Sequence, residues 1–299
     1  MKLVNYWDDN GKLKLGVVDK DRLLDVERMM AGSEAARTAR STDDLIGMGG
    51  EGLASLANRI EEALRDEPLL QASALNLGEA RLAPCVANPG KIICVGLNYK
   101  KHAEETNSPI PAFPILFNKF ANALTAHEAP VRVPAVTAKL DYEAELAIVI
   151  GKTAFNVSES DALDYVFGYC AANDLSARDL QLRTSQWLLG KSLDGFCPLG
   201  PWLVTADEVG DPNRLEIQGF VNGEQRQNSN TSDMIFDCKT IVSYISRHMT
   251  LQPGDVILTG TPEGVVMGYP EDRQVYLKAG DRVAIRIEKL GELRNVLID

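Results

Sequence analysis

From Gly90 onward the chain is built of short apolar runs: KIICVG, PILFN, ELAIVIG, LEIQGFVNG, DVILTG and DRVAIRI. Only brief helical patterns separate them, ESDALDYVFGYCAAN and KTIVSYISRHM among them. A doubly wound parallel sheet needs a full helix between successive strands, and that regular alternation is missing. The spacing therefore predicts a strand-rich α+β chain, with a mixed β-sandwich or β-roll core and peripheral helices.

The N-terminal stretch has a different texture. KLVNYW, DDNG, KLKLGVVD and KDRLLDV read as a small antiparallel meander, with Asn10-Gly11 as the hairpin signal. From about Asp43 to Arg65 a helical period places Leu53, Leu56, Ile60 and Leu64 on one stripe. The Pro- and Gly-containing segment LAPCVANPG, from Leu82 to Gly90, reads as a linker. These features predict a small N-terminal αβ domain over residues 1–80 and a larger one over 81–299. Gly47, Gly49 and Gly52 match the spacing of a dinucleotide-binding fingerprint, but ARSTDDLI precedes them where an apolar strand is required. A surface turn is the expectation there.

The formal net charge is -11. Nonspecific binding to nucleic acid needs a basic face, as does attraction to an anionic membrane, so neither partner is expected. A small anion is still permitted, because a metal ion reverses the sign of the field inside a pocket. The opening MKLVNYWDDNGK has no apolar core of a signal peptide, and no run approaches the length of a membrane span. The five cysteines, Cys85, Cys94, Cys170, Cys197 and Cys238, are odd in number and form no CxxC pair. Buried reduced thiols and a cytoplasmic setting follow as expectations. Three histidines, His102, His127 and His248, are too few for a zinc site built mainly from Cys and His.

Four segments carry candidate chemistry. In LDYEAELAIVIG, strand alternation puts Asp141, Glu143 and Glu145 on one face. They are either a solvated acidic edge, where acids are usually found, or a cluster around a hard cation that prefers oxygen ligands. Asp174 in CAANDLSARDLQ offers a third acid or caps a helix, and spacing alone does not bring it to Glu143. In KIICVGLNYKKHAEE, His102 and Glu105 lie three apart on one helical face. They form either a carboxylate-oriented general base or an exposed ion pair, with Glu104 as a competing partner. PGDVILTGTPEGV ends a strand in Thr259-Gly260-Thr261-Pro262, whose N–H groups and hydroxyl either hold a carboxylate or simply turn the chain.

In this order, the motifs VGLNYxxHAxE, LFNK, DYEAELAIVIG, ANDLSARDLQ, GKSLDGFCPLGP, VNGExRQ and LTGTPEGV resemble the fumarylacetoacetate hydrolase family, over roughly Lys91 to Ile287. The resemblance implies that family's β-roll, a homodimer, and one Mg2+ or Mn2+ per chain held by Glu143, Glu145 and Asp174. It implies a catalytic dyad of His102 and Glu105 on a lid that continues into TNSPIPAFP. Arg178, Gln181, Lys191 and Thr261 fall on positions that line the substrate pocket, with Lys191 counted among the catalytic residues as well. The implied substrate is a small anionic 2-oxo or 1,3-diketo acid. The leading activity is hydrolytic C–C cleavage of an acylpyruvate to release pyruvate. Oxaloacetate decarboxylation, isomerisation and decarboxylation of aromatic-degradation acids, and sugar-acid hydrolysis or lysis are the alternatives on the same scaffold. Many members read Lys-Pro where this chain has Lys119-Phe120, so Lys119 receives no role.

Overall fold

The computed structural model describes residues 1–31 and 38–299. The N-terminal meander forms as its alternation predicts. Lys2–Trp7, Leu13–Asp19 and Arg22–Asp25 pair antiparallel in chain order. The first turn is closed by Gly11 at φ 72° and by the Asp8 carboxylate, which accepts from the N–H groups of Asn10 and Lys12. Arg81–Ala83, at the start of the segment expected to be a linker, is a further strand on Lys2–Trp7. Lys2–Trp7 also pairs with Cys197–Thr205, far along the chain, so the meander continues the main sheet.

Among the described residues, twelve strands join into that sheet. From Lys2–Trp7 its path runs through Cys197–Thr205, Val166–Asn173, Ala144–Ile150, Val256–Leu258 and Ile92–Gly96 to Ile115–Lys119. A second sheet of five strands is built mainly from Glu216–Val221, Glu224–Asn230, Arg282–Ile287 and Gly291–Ile298, and packs across the central strands of the first. The chain is thus α+β with mixed sheets. No helix among the described residues is long and apolar enough to cross a membrane. All five cysteines are buried and free.

The helical reading of ESDALDYVFGYCAAN is corrected. Only Ala162–Tyr165 makes a short 3-10 turn, and Val166–Asn173 is a strand. Every residue of that strand is buried, so no polar alternation marks it, and a continuous apolar run does not separate strand from helix. The expected helix is present over Thr42–Arg65, but Gly49, at φ 63° and ψ -151°, breaks its geometry. The glycine-rich motif therefore lies inside a kinked helix rather than in a surface turn. Leu45, Ile46, Leu56 and Ala63 are buried, while Leu64 is 46% exposed and leaves the stripe at the helix end.

Strand direction places the site. Ile92–Gly96 runs parallel to Val256–Leu258, which is antiparallel to Ala144–Ile150, itself antiparallel to Val166–Asn173. Three strands therefore end at the same edge of the sheet where a fourth begins, and the registers Ala144↔Asn173 and Cys94↔Leu258 bring the ends together.

The helix is fixed to the sheet by Asn5, which is fully buried. Its amide donates to Thr42 Oγ1 at 2.8 Å and to the Pro84 carbonyl at 3.1 Å, and its carbonyl accepts the Thr42 N–H at 2.8 Å. Asn5→Ala strands these groups without water, and we expect a loss of about 1–3 kcal/mol in urea denaturation. An unchanged midpoint would show that the contact has no net worth.

Candidate active site

The acids at the sheet edge are not a solvated rim. Glu143 precedes the strand Ala144–Ile150, Glu145 is its second residue, and Asp174 follows the strand Val166–Asn173. The Asp174 N–H donates to the Glu143 carbonyl at 3.0 Å, which locks the two segments together; the next helix starts only at Arg178 with Ala177 as its N-cap, so Asp174 caps no helix. All three side chains are buried, and each offers an oxygen such that the three lie within 4.8 Å of one another. An all-oxygen, anionic, buried set of this size fits a hard divalent cation. Asp141, on the same predicted face, goes elsewhere. Its carboxylate pairs with Arg178 Nε at 2.8 Å and accepts from the N–H groups of Val266 and Met267.

Three buried cations surround these acids. Arg178 Nη1 lies 2.7 Å from Glu143 Oε1 and donates to Gln181 Oε1 at 2.9 Å. Lys191 Nζ bridges Glu143 Oε2 at 2.7 Å and Asp174 Oδ2 at 3.0 Å. Lys119 Nζ lies 2.5 Å from Asp174 Oδ1. Burial alone would raise the Glu143 carboxyl, but Lys191 and Arg178 outweigh it and hold it below the usual carboxylate range. Glu145 has no such partner. Burial, then Asp174 and Glu143, push it well up, against the pull of Lys191 and a 2.7 Å hydrogen bond from the Gly260 N–H. Burial would lower both Lys191 and Arg178. Asp174 and Glu143 reverse this for Lys191, as Asp141 and Glu143 do for Arg178, so both stay above their ordinary values.

A helix over Lys100–Glu105 carries His102 to the same place. His102 Nδ1 lies 2.8 Å from Glu105 Oε1, and Glu105 Oε2 accepts the Gly264 N–H at 2.9 Å. Glu104 faces outward to Lys100 at 3.9 Å, which settles the choice of partner for His102. His102, Glu105, Glu143, Glu145, Arg178, Gln181, Lys191 and Thr261 all line one cavity of about 640 Å³. Asp174 lies behind it, reached through Lys191. Arg178 Nη2 is buried without a hydrogen-bond partner among the described residues, a donor still free at the cavity wall. Of the three histidines only His102 lines this cavity. His127 instead accepts the Arg294 N–H, and His248 meets the Tyr244 carbonyl.

The turn Thr259–Gly264 works differently from a ligand cradle. Its glycine N–H groups orient Glu145 and Glu105, and Thr261 alone presents a side chain to the cavity. Three further side chains hold the site residues in place, a role that the motifs around them do not mark. Asp141 orients Arg178. Gln227 lies in VNGExRQ and donates to Thr261 Oγ1 at 2.9 Å. Lys119 was set aside for its unusual neighbour, Phe120, which points outward at 56% exposure while Lys119 is buried.

Comparison with known proteins agrees with this geometry. The family described as fumarylacetoacetate (FAA) hydrolase, C-terminal, matches residues 91–298. A Xenopus laevis protein named oxaloacetate tautomerase fahd2, mitochondrial, is 50% identical over 219 residues, covering 73% of this chain and 68% of the relative. The solved fumarylacetoacetate hydrolase of Exiguobacterium antarcticum is 37% identical at a TM-score of 0.84, covering 100% of this chain and 99% of that one. Maleylpyruvate hydrolase of Sphingobium sp. SYK-6, solved in complex with manganese(II) ion and pyruvate, is 34% identical at a TM-score of 0.78, with the same coverage. The chain belongs to the fumarylacetoacetate hydrolase family.

Gly260, whose N–H meets Glu145, is a tight backbone position in the site. It sits at φ 98°, and a Cβ there would lie 2.7 Å from Asn98 Cβ and 2.9 Å from the Val95 carbonyl oxygen. Gly260→Ala should cost roughly 1–3 kcal/mol of stability and tilt the N–H away from Glu145. Thermal denaturation measures the first effect. A wild-type melting temperature would refute the strain.

Proposed function

We propose that this chain is a divalent-metal-dependent hydrolase that cleaves the C–C bond of an acylpyruvate-type 1,3-diketo acid and releases pyruvate. One observation carries the proposal: three buried carboxylates that fit a dication lie beside the cavity that holds the His102–Glu105 pair. Glu143, Glu145 and Asp174 are the proposed ligands. When bound, the cation supplies a Lewis acid for the 2-oxo acid end of the substrate and stabilises negative charge on its 2-oxo oxygen.

The chain's own groups do the rest. Arg178 Nη2, the amide of Gln181, Lys191 and the Thr261 hydroxyl are the donors for the substrate's carboxylate and oxo oxygens. His102, oriented by Glu105, takes a proton from water as the water oxygen attacks the carbonyl distal to the carboxylate. The bond between that carbon and the adjacent methylene breaks, and its electron pair goes to the pyruvate enolate. The enolate then takes a proton at carbon and leaves as pyruvate, while the acyl half leaves as a carboxylic acid.

A second reading is keto–enol tautomerisation of oxaloacetate, favoured by the 50% identity to the Xenopus relative. It uses the same dyad to move a proton between the methylene carbon and the oxo oxygen, with no water consumed and no C–C bond broken.

The deciding assay offers acetylpyruvate, fumarylpyruvate and oxaloacetate with Mg2+ and with Mn2+. It follows pyruvate release by coupled reduction and the enol by its ultraviolet absorbance. Pyruvate formed stoichiometrically from an acylpyruvate is expected, and excess chelator should abolish it. Enol interconversion of oxaloacetate without pyruvate release from either acylpyruvate would select the second reading. His102→Ala should lower the turnover on the order of a hundredfold and leave Mn2+ affinity within about twofold, since His102 is not a ligand. Intact turnover in this variant would reduce the dyad to a structural ion pair.

A further inference from the structure

The two buried lysines beside Asp174 are held in different ways. Lys119 is held by two main-chain hydrogen bonds and an ion pair. Its Nζ donates to the Leu175 carbonyl at 3.2 Å and to the Lys191 carbonyl, and it faces Asp174 Oδ1 at 2.5 Å, with no side-chain exposure. Two of its three partners are main-chain oxygens, which do not move without the fold. Lys191 has no such tether. Among the described residues its Nζ bonds to Glu143 Oε2 and Asp174 Oδ2 alone, lies 5.1 Å from the Phe117 ring centroid, and lines the cavity. Its backbone is fixed by Lys119, while its ammonium rests on the two carboxylates assigned to the metal.

Both oxygens of Glu143 and both of Asp174 already face protein cations, and among the described residues Glu145 Oε1 has no hydrogen bond or ion pair. A dication shared by these residues must therefore compete with a nitrogen for at least two oxygens. Lys119 is anchored to main-chain oxygens and Arg178 is also held by Asp141 and Gln181, so the competitor it can displace is Lys191.

We infer that Lys191 is an exchangeable internal cation, which neutralises Glu143 and Asp174 until a divalent metal takes its place, and that Lys119 is a fixed positioning residue that never leaves Asp174. The inference rests on the metal-site reading proposed above. Displacement leaves the Lys191 ammonium inside the cavity, where Gln181 and Thr261 also end, so the incoming metal releases a donor for the substrate anion. Loading the metal and arming the substrate site become one event.

The test is titration of the purified, chelator-stripped protein with MnCl2, read by calorimetry and by the paramagnetic signal of free Mn2+. Removing a competing ammonium strengthens metal binding, so Lys191→Met should bind Mn2+ roughly tenfold or more tightly than wild type. Metal-free Lys191→Met should also melt lower and regain the difference on adding Mn2+. Lys119→Met should bind no more tightly than wild type, because losing the anchor frees Asp174 to wander. Equal or weaker binding by Lys191→Met overturns the inference, as does equal tightening by both variants.

Amine acetylation of the wild type, read by peptide mass spectrometry, does not depend on either variant folding. Lys191 labelling should rise severalfold with Mn2+, and Lys119 should stay protected. Mn2+ binding with Lys191 labelling unchanged overturns the inference alone. Absence of any Mn2+ binding by the wild type removes the metal reading, and the inference with it.

Discussion

The structure turns on one buried charge cluster at the edge of the main sheet. Asp141, Glu143, Glu145 and Asp174 face Lys119, Arg178 and Lys191, and all seven are buried. Removing ions from water costs several kcal/mol each, and their mutual attraction returns this only when geometry and remaining hydrogen bonds are good. The local fold provides that geometry. Arg178 reaches both Asp141 and Glu143, Lys191 reaches Glu143 and Asp174, and Lys119 ties Asp174 to the main-chain oxygens of its neighbour Leu175 and of Lys191. A cluster of this kind is seldom the most stable filling for its volume. Its rationale lies in holding carboxylates dry, close and charged where three strand ends converge.

The turn after Val256–Leu258 makes that arrangement precise in space. Gly260 brings a backbone N–H onto Glu145, and Gly264 brings another onto Glu105. Gly268 has no side chain where a Cβ would fall 2.4 Å from the Glu105 carboxyl carbon. One loop thus orients an acid of the metal set and the acid of the dyad together, so the distance between the two chemistries is set by main-chain geometry rather than by flexible side chains.

Local pattern made some of this legible and left the rest hidden. Ile92–Gly96, Ile115–Lys119, Ala144–Ile150 and Arg282–Ile287 follow from short apolar runs bounded by turn residues. Val166–Asn173 did not, because burial on both faces erases the alternation that identifies a strand. At the site, alternation put Asp141, Glu143 and Glu145 on one face, but separating Asp141 from the other two takes knowledge of where Arg178 and the Val266 N–H lie. Burial of the acids was equally invisible, since nothing near them in sequence names the Lys119 and Lys191 that neutralise them. Only the joint order of motifs pointed to the right cluster, and it did so by resemblance. Lys119 illustrates the limit: its unusual neighbour drew attention away from a residue whose own side chain is fully enclosed.

Charge arithmetic links the cluster to the sign of the ligand it can hold. Four carboxylates against three protein cations leave one excess negative charge, in a chain whose net charge is already -11. Burial, with Asp174 and Glu143 beside it, pushes the Glu145 carboxyl up, which is where that excess is felt. Without a metal the cluster carries no surplus positive charge, because Lys191 and Arg178 each already face two of its carboxylates. A dication reverses the balance, leaving one excess positive charge with all four acids ionised. Anion binding is then favourable at a place where the protein's overall field opposes it. A dication held by these acids would therefore favour a small anion in this cavity, against the sign of the rest of the chain.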